Sequence, residues 1–327
     1  MSTQIRRAGG TALGLLSTQL NLYILQALAD GDLSPLDLRL AASVPPQSTM
    51  RVYMRNLIEM GMIERGRSET FPPTTSYSLA SPGRALLKVG DELQAWLNAS
   101  PNGAIPLDSP GGKSATQALV EGWSANIVRT LASRPHSLTQ LSRLNAQMTY
   151  PGLERRLSAM RLVKLVEPHP AAGRGTPYRV TDWLRQAVPL LASATVWERK
   201  CLPDSTPRIG RLDVEAAVLL IAPLIQLPST FNGKVRLAVE IRGGSNPAYA
   251  GAVLEFEEGA LTSSSSRLEG DPDASISGTV MGWLRQMNGN SVTDVEFGGD
   301  RDLGETVASA LRATAAGLSA PIDKSLG

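Results

Sequence analysis

The arginines of this sequence are spaced for work at a charged surface. Between Pro46 and Gly61, Met50, Met54 and Leu57 recur at the interval of one helix face. With Met50 turned inward, about 100° per residue sends Ser48, Arg51, Val52 and Arg55 outward. Two guanidinium forks on one exposed face suit the O6 and N7 edge of guanine, or phosphate. Gln47, Ser48 and Thr49 open the same helix, where hydroxyl, amide and backbone N–H groups can donate to phosphate or a base edge. A second segment repeats the layout. Leu153, Leu157 and Met160 fall inward, while Pro151, Glu154, Arg155 and Ser158 fall outward, with Tyr150 at the start and Arg156 flanking. Glu154 takes the place of Arg51, so the second surface is the less basic. Each helix is followed by a polar loop with arginines, Arg65 and Arg67 in the first case, Arg174 with Arg179 nearby in the second. Arginines at such tips touch the backbone or the minor groove.

Other chemistry finds little material. No nucleophile elbow, phosphate loop, zinc signature or dinucleotide fingerprint is present. Gly111-Gly112-Lys113-Ser114 is similar to the end of a phosphate loop but lacks its first glycine and a preceding strand, so it reads as linker. His136 and His169, the only histidines, have no common acid partner in view, and Asp271-Pro272-Asp273 and Asp300-Arg301-Asp302 read as solvated turns. Cys201 is the only cysteine, which excludes an intramolecular disulfide and a multi-cysteine metal site. Arg199 and Lys200 beside it would favour its thiolate, though without a resolving partner it reads as a bystander. We expect no catalytic residues, no bound metal, no cofactor and no enzyme activity.

The elements that hold the arginines come in two copies. At an offset of 103 positions, Ile24-Leu25-Gln26-Ala27-Leu28-Ala29 lies on Ile127-Val128-Arg129-Thr130-Leu131-Ala132, Ser34 on Ser137, Leu38 on Leu141, Met54 on Leu157, and Met62-Ile63-Glu64 on Leu165-Val166-Glu167. After a two-residue change, Tyr77-Ser78-Leu79 faces Tyr178-Arg179-Val180. Each copy reads as a helix, a short helix opened by a capping signal (Ser34-Pro35-Leu36-Asp37; Ser137-Leu138-Thr139-Gln140), a longer helix, a β-hairpin and a last helix. Two stretches rich in Pro, Gly, Ser and Asn read as linkers, 98–114 and 201–211. They divide the chain into 1–97, 115–200 and 212–320. In the last part, a helix from Asp213 to Leu227 precedes strands near 234–241, 250–257, 260–264, 274–278 and 292–297, with helices at 280–287 and 305–318.

Charge follows this division. Residues 1–200 carry 22 Lys/Arg against 14 Asp/Glu, a net +8; residues 201–327 carry 10 against 16, a net −6. A basic first part and an acidic last part suggest that only the first meets a polyanion. At 42% hydrophobic the 327-residue chain can bury ordinary cores. There is no apolar run of membrane-spanning length and no signal-peptide core, so we expect a soluble cytoplasmic protein.

At Ser34–Leu38, Leu57–Arg65 and Thr74–Leu87, the first copy resembles the HxlR group of the MarR-like bacterial transcription regulators, over about residues 1–97. The resemblance implies a winged helix-turn-helix, and the weaker likeness of 115–200 implies a second one, making an intrachain pseudo-dimer. Ala274–Asn290 followed by Val295–Thr314 resembles the sterol carrier protein type 2 domain, over about 212–320. That family's apolar tunnel suggests Phe256, Met281, Trp283, Leu284 and Met287 as pocket lining, against the alternative that they are plain core. The expected fold is thus α+β, two tandem winged helix-turn-helix domains followed by a small α/β sandwich. Three functions compete. The leading one is a transcription regulator binding double-stranded DNA at an imperfect inverted repeat, with a small apolar effector and, beyond the internal pairing, a homodimer as further partners. The second is a small-molecule sequestering or resistance protein. The third is a tandem winged-helix DNA glycosylase, for which no suitably placed acid or Gln pair is found.

Overall fold

A computed structural model of the chain describes residues 8–41, 45–67, 75–124, 126–146, 148–170, 175–202, 209–244, 247–287 and 295–319. The first unit runs α1 (Gly10–Leu16), α2 (Gln19–Ala27), α3 (Pro35–Ala41), α4 (Gln47–Glu59), β1 (Ile63–Arg67), β2 (Thr75–Leu79) and α5 (Ser81–Asn98). Met50, Met54 and Leu57 are buried on α4, as their spacing requires. β1 and β2 form an antiparallel hairpin, and Leu33 adds a short third strand by exchanging backbone bonds of 3.0 and 2.9 Å with Tyr77. α1 was not anticipated. Its seven residues carry no cap signal; a distant side chain, Glu198, supplies what the helix start lacks.

The next stretch follows the same order: α6 (Pro110–Ser124), α7 (Ile127–Ser133), β3 (His136–Ser137), α8 (Leu138–Leu144), α9 (Tyr150–Leu162), β4 (Val166–Pro168), β5 (Pro177–Val180), α10 (Asp182–Arg185) and α11 (Ala187–Cys201). Leu153, Leu157 and Met160 are buried on α9. β3 pairs with β5 through His136 and Tyr178, the positions that correspond to Leu33 and Tyr77. The segment expected to be a linker over 98–114 is shorter than that. Leu107 is buried, its N–H donates to Gln94 Oε1 at 2.8 Å, and α6 begins at Pro110 with Ser109 Oγ accepting from Gly112 N–H at 3.0 Å. The Gly-Gly-Lys-Ser run is therefore a helix start. The second linker is bounded by the end of α11 at Cys201 and the start of α12 at Arg211, and 203–208 lie outside the described residues.

α5 and the α10–α11 pair bind the two units through matched contacts. Trp96 Nε1 donates to Trp183 O at 2.9 Å, and Trp197 Nε1 donates to Pro82 O at 2.9 Å. Positions 96 and 197, and 82 and 183, are each 101 apart, so each helix does to the other what the other does to it, the signature of two-fold related surfaces. Glu92 and Ser193 are also 101 apart and meet each other, Ser193 hydrogen-bonding to the carboxyl. Trp183 additionally stacks on Trp96 at 4.4 Å and donates to Trp96 O at 2.8 Å.

The rest of the chain runs α12 (Arg211–Ile221), a 3-10 turn at Ala222–Leu224, β6 (Gly233–Arg242), β7 (Ala248–Glu257), β8 (Ala260–Ser265), β9 (Ala274–Thr279), α13 (Val280–Met287), β10 (Val295–Gly299) and α14 (Arg301–Ser319). The sheet order is β10-β9-β6-β7-β8, with β6 and β9 parallel and the other pairs antiparallel. Val235, Leu237 and Val239 face Leu254, Ala252 and Ala250 across the ladder and make the apolar face on which the helices pack. α12 is shorter than the sequence suggests because Pro223 falls in its continuation. α14 starts four residues early because Asp300, read as a solvated turn, accepts Leu303 N–H at 3.1 Å and caps it. Residues 292–294 of the last expected strand lie outside the described residues. α12 is also tied to the second unit. Glu215, fully buried, takes Arg129 at 2.6 Å and Arg211 at 2.5 Å, and Arg185 donates to Leu219 O and Leu220 O at 3.2 Å.

Candidate nucleic-acid interface

On α4, Gln47, Ser48, Arg51 and Arg55 are exposed and Thr49 is half-buried. Arg51 and Arg55 are one helical turn apart on the face opposite Met50, Met54 and Leu57. Neither forms an ion pair among the described residues. Val52 between them is about half exposed, an apolar spot on a polar face. No side chain caps the helix at Pro46, so the first-turn N–H groups keep their capacity for an oxygen ligand. Arg65 and Arg67 are exposed along β1. This surface offers two forks, an uncapped helix start and two further cations, with no acid paired to the forks among the described residues.

The backbone behind it is fixed by a tight exit from α4. Gly61 has φ +68°, Met62 N–H bonds to Leu57 O at 2.8 Å, and Gly61 N–H to Ile58 O at 2.8 Å. That is the left-handed helix ending that glycine favours. At the matching place after α9, Lys164 holds φ +65°, with Leu165 N–H on Met160 O at 2.9 Å and Lys164 N–H on Arg161 O at 3.0 Å. The same turn is built twice, once with a side chain that strains it.

The second unit does not assemble all of its expected residues. Tyr150 and Arg155 are exposed on α9, and Glu154 stands exposed in the place of Arg51. Arg156, expected to flank this surface, turns inward instead. Its Nε lies 3.9 Å from Glu121 on α6 and its Nη1 bonds weakly to Gly152 O and Met148 Sδ. Arg179 stays exposed but is engaged, paired with Glu167 at 2.7 Å directly across the β4–β5 ladder. Both pairings have one cause. The reading from sequence tracked helix faces and loops, whereas Glu121 and Glu167 come from a helix 35 residues upstream and from the partner strand. Arg174 lies outside the described residues.

The residues expected to line an apolar pocket divide likewise. Trp283, Leu284 and Met287 line one cavity. Phe256 is core, 1% exposed and edge-on to Phe231 at 5.7 Å, and Met281 does not reach the cavity. Other walls come from α12 and, through Trp123, Val188, Leu191 and Thr195, from α6 and α11. Sequence reading missed those four residues because they belong to another part of the chain and carry only core-type side chains. At the remaining candidates for chemistry, burial raises the Cys201 thiol pKa despite Lys200, against the expectation of an easier thiolate. Burial and Arg134 lower the pKa of His136, and Gln140 opposes them. No cluster of metal-ligating residues occurs among the described residues, and among them no helix is long and apolar enough to cross a membrane.

Residues 15–102 match the HxlR-like helix-turn-helix family. The match covers α2 to α5 with the helix face of Arg51 and Arg55, and supports a DNA-binding regulator of the HxlR type. No curated protein matches the chain.

Proposed function

We propose that this chain is a cytoplasmic, ligand-responsive transcriptional regulator in which two winged helix-turn-helix units in one polypeptide bind an imperfect inverted repeat in double-stranded DNA. The observation that carries the reading is the Arg51 and Arg55 couple on the outward face of α4, inside the family-matched segment and without an ion pair among the described residues. The two-fold related contacts of Trp96 and Trp197 support a dimer-like frame that presents α4 and α9 together. The two halves make unequal contributions. α4 reads base edges through its arginines, while α9, with Glu154 in front and Arg156 turned away, mainly follows the backbone through Arg155 and Tyr150. The last part, resembling a sterol carrier protein type 2 domain, supplies sensitivity to a small apolar effector. In this reading the chain binds and does not catalyse, and it needs no metal or cofactor.

Fluorescence anisotropy with a duplex spanning the region upstream of its own coding sequence tests the reading. Binding should weaken steeply with added salt, because released counterions drive it. It should fall about fivefold or more in Arg51→Ala and in Arg55→Ala, each able to remove about 1–3 kcal/mol of base contact. Salt-independent binding, or parent-like behaviour of both variants, rejects it.

A further inference from the structure

The pocket that takes in Trp283 lies where the second unit meets the sheet domain; it holds about 70 Å³ and is open on one side, so a ring-sized guest fills it and projects outward. α11 forms one wall through Val188, Leu191, Ala192 and Thr195, at the spacing of a single helix face. α12 and α13 form the others, with Trp123 from α6. The polar side chains of the wall are engaged. Thr195 Oγ1 donates to Leu191 O at 2.6 Å and Trp283 Nε1 to Ala238 O at 3.1 Å. Asp213 accepts from Trp123 Nε1 at 3.1 Å and from Gly210 N–H at 2.9 Å. Space bounded in this way offers water too few partners and suits an apolar guest. A charged guest would lose its hydration without return, and an anion would also meet Asp213.

α11 serves two interfaces at once. One face lines the cavity. Another carries Ser193 against Glu92 and Trp197 against Pro82 O, the contacts that set the two units against each other. The helix is buried almost throughout, so it cannot shift at one interface without disturbing the other.

We propose that this junction cavity binds a small neutral apolar molecule, an aromatic ring or short alkyl group, and that occupancy moves α11 relative to α5 and so resets the spacing of α4 and α9. The second half of the proposal rests on the DNA-binding reading above; the first half does not. A guest shifts the spacing only as far as it prefers one arrangement over the other.

Iodobenzene is a suitable probe, since iodine quenches indole emission on contact and Trp123 and Trp283 both line the space. Quenching of the full chain should saturate, reverse on adding benzene, weaken in Trp123→Phe, and vanish in Ala217→Phe, whose ring fills the cavity from a half-buried position on α12. Saturating benzene should change affinity for the upstream duplex about fivefold or more in the parent, and not in Ala217→Phe. Circular dichroism checks that this variant folds; Val280→Phe fills the same space from α13 if it does not. Quenching that never saturates, or that survives both filling variants, overturns the site. Saturable quenching with unchanged duplex affinity overturns the coupling. Saturable quenching in a chain that binds no duplex upholds the site and refutes the DNA reading instead.

Discussion

On α4, Arg51 and Arg55 stand out with no carboxylate paired to them among the described residues; on α9, Glu154 fills the first of those places and Arg156 has turned to Glu121. Beneath these surfaces the two units agree closely. Each buries three residues of its longer helix, each leaves that helix through the same left-handed turn, and each pairs a short strand with a tyrosine of the hairpin. The difference teaches where change is cheap. Losing a buried leucine costs about 2–5 kcal/mol, while most surface substitutions stay within about ±0.5 kcal/mol. Two copies in one chain are also free of the identity that a homodimer imposes on its halves.

Removing a shared feature should have the largest effect. Trp96→Ala and Trp197→Ala each open a large cavity and leave a backbone carbonyl unpaired, so each should lower stability by about 3–5 kcal/mol in urea unfolding. Costs that differ by more than about 2 kcal/mol would break the two-fold frame. Next come the outward arginines of α4. Arg51→Ala and Arg55→Ala should each weaken duplex binding by about 1–3 kcal/mol, whereas Arg155→Ala should stay below about 1 kcal/mol. Equal losses on both helices would erase the asymmetry. Making the halves alike sharpens the comparison, and Glu154→Arg should tighten binding by roughly 1 kcal/mol and steepen the salt slope by about one counterion. At the paired turns, Lys164→Gly should stabilise by about 0.5–1 kcal/mol and Gly61→Ala should cost about 1 kcal/mol, both read as shifts in urea midpoint.

A pH series probes the place where the halves meet on themselves. Burial, with Asp91 nearby, raises the Glu92 carboxyl pKa above its ordinary value near 4.5, although Ser193 opposes the shift. The folded state therefore favours the protonated acid. Its stabilising share is complete below about pH 4.5 and is lost as pH rises through the folded value. Glu92→Gln should flatten this part of the stability profile, measured as melting temperature between pH 4 and about 8. A profile parallel to the parent's would remove Glu92 from the account.

Much of this architecture could be read from residue order. The buried triplets on α4 and α9, the capping box at Ser137 and Gln140, and the hairpins follow from periodicity and short-range chemistry. The outward placement of Arg51 and Arg55 followed from the same periodicity. What escaped depends on partners far along the chain. Arg156 needed Glu121, α1 needed Glu198, and the cavity needed α11 beside α13. No local pattern encodes such pairs, because each residue alone looks like an ordinary surface charge or core aliphatic. The repeat hinted at paired tryptophans, since Trp96 and Trp197 correspond, but their hydrogen-bond acceptors, Trp183 O and Pro82 O, carry no side-chain signal.

Glu198 bears on how the protein is made. Gly9, Thr11 and Ala12 donate their N–H groups to its carboxylate at 2.7, 2.6 and 2.9 Å, across 189, 187 and 186 positions. On the ribosome, the start of α1 therefore stays uncapped until Glu198 has been synthesised, more than 180 residues later. Leu16 can meanwhile pack on α5 beside Gly90, so the apolar side of this helix can be covered long before its N–H groups find their acceptor.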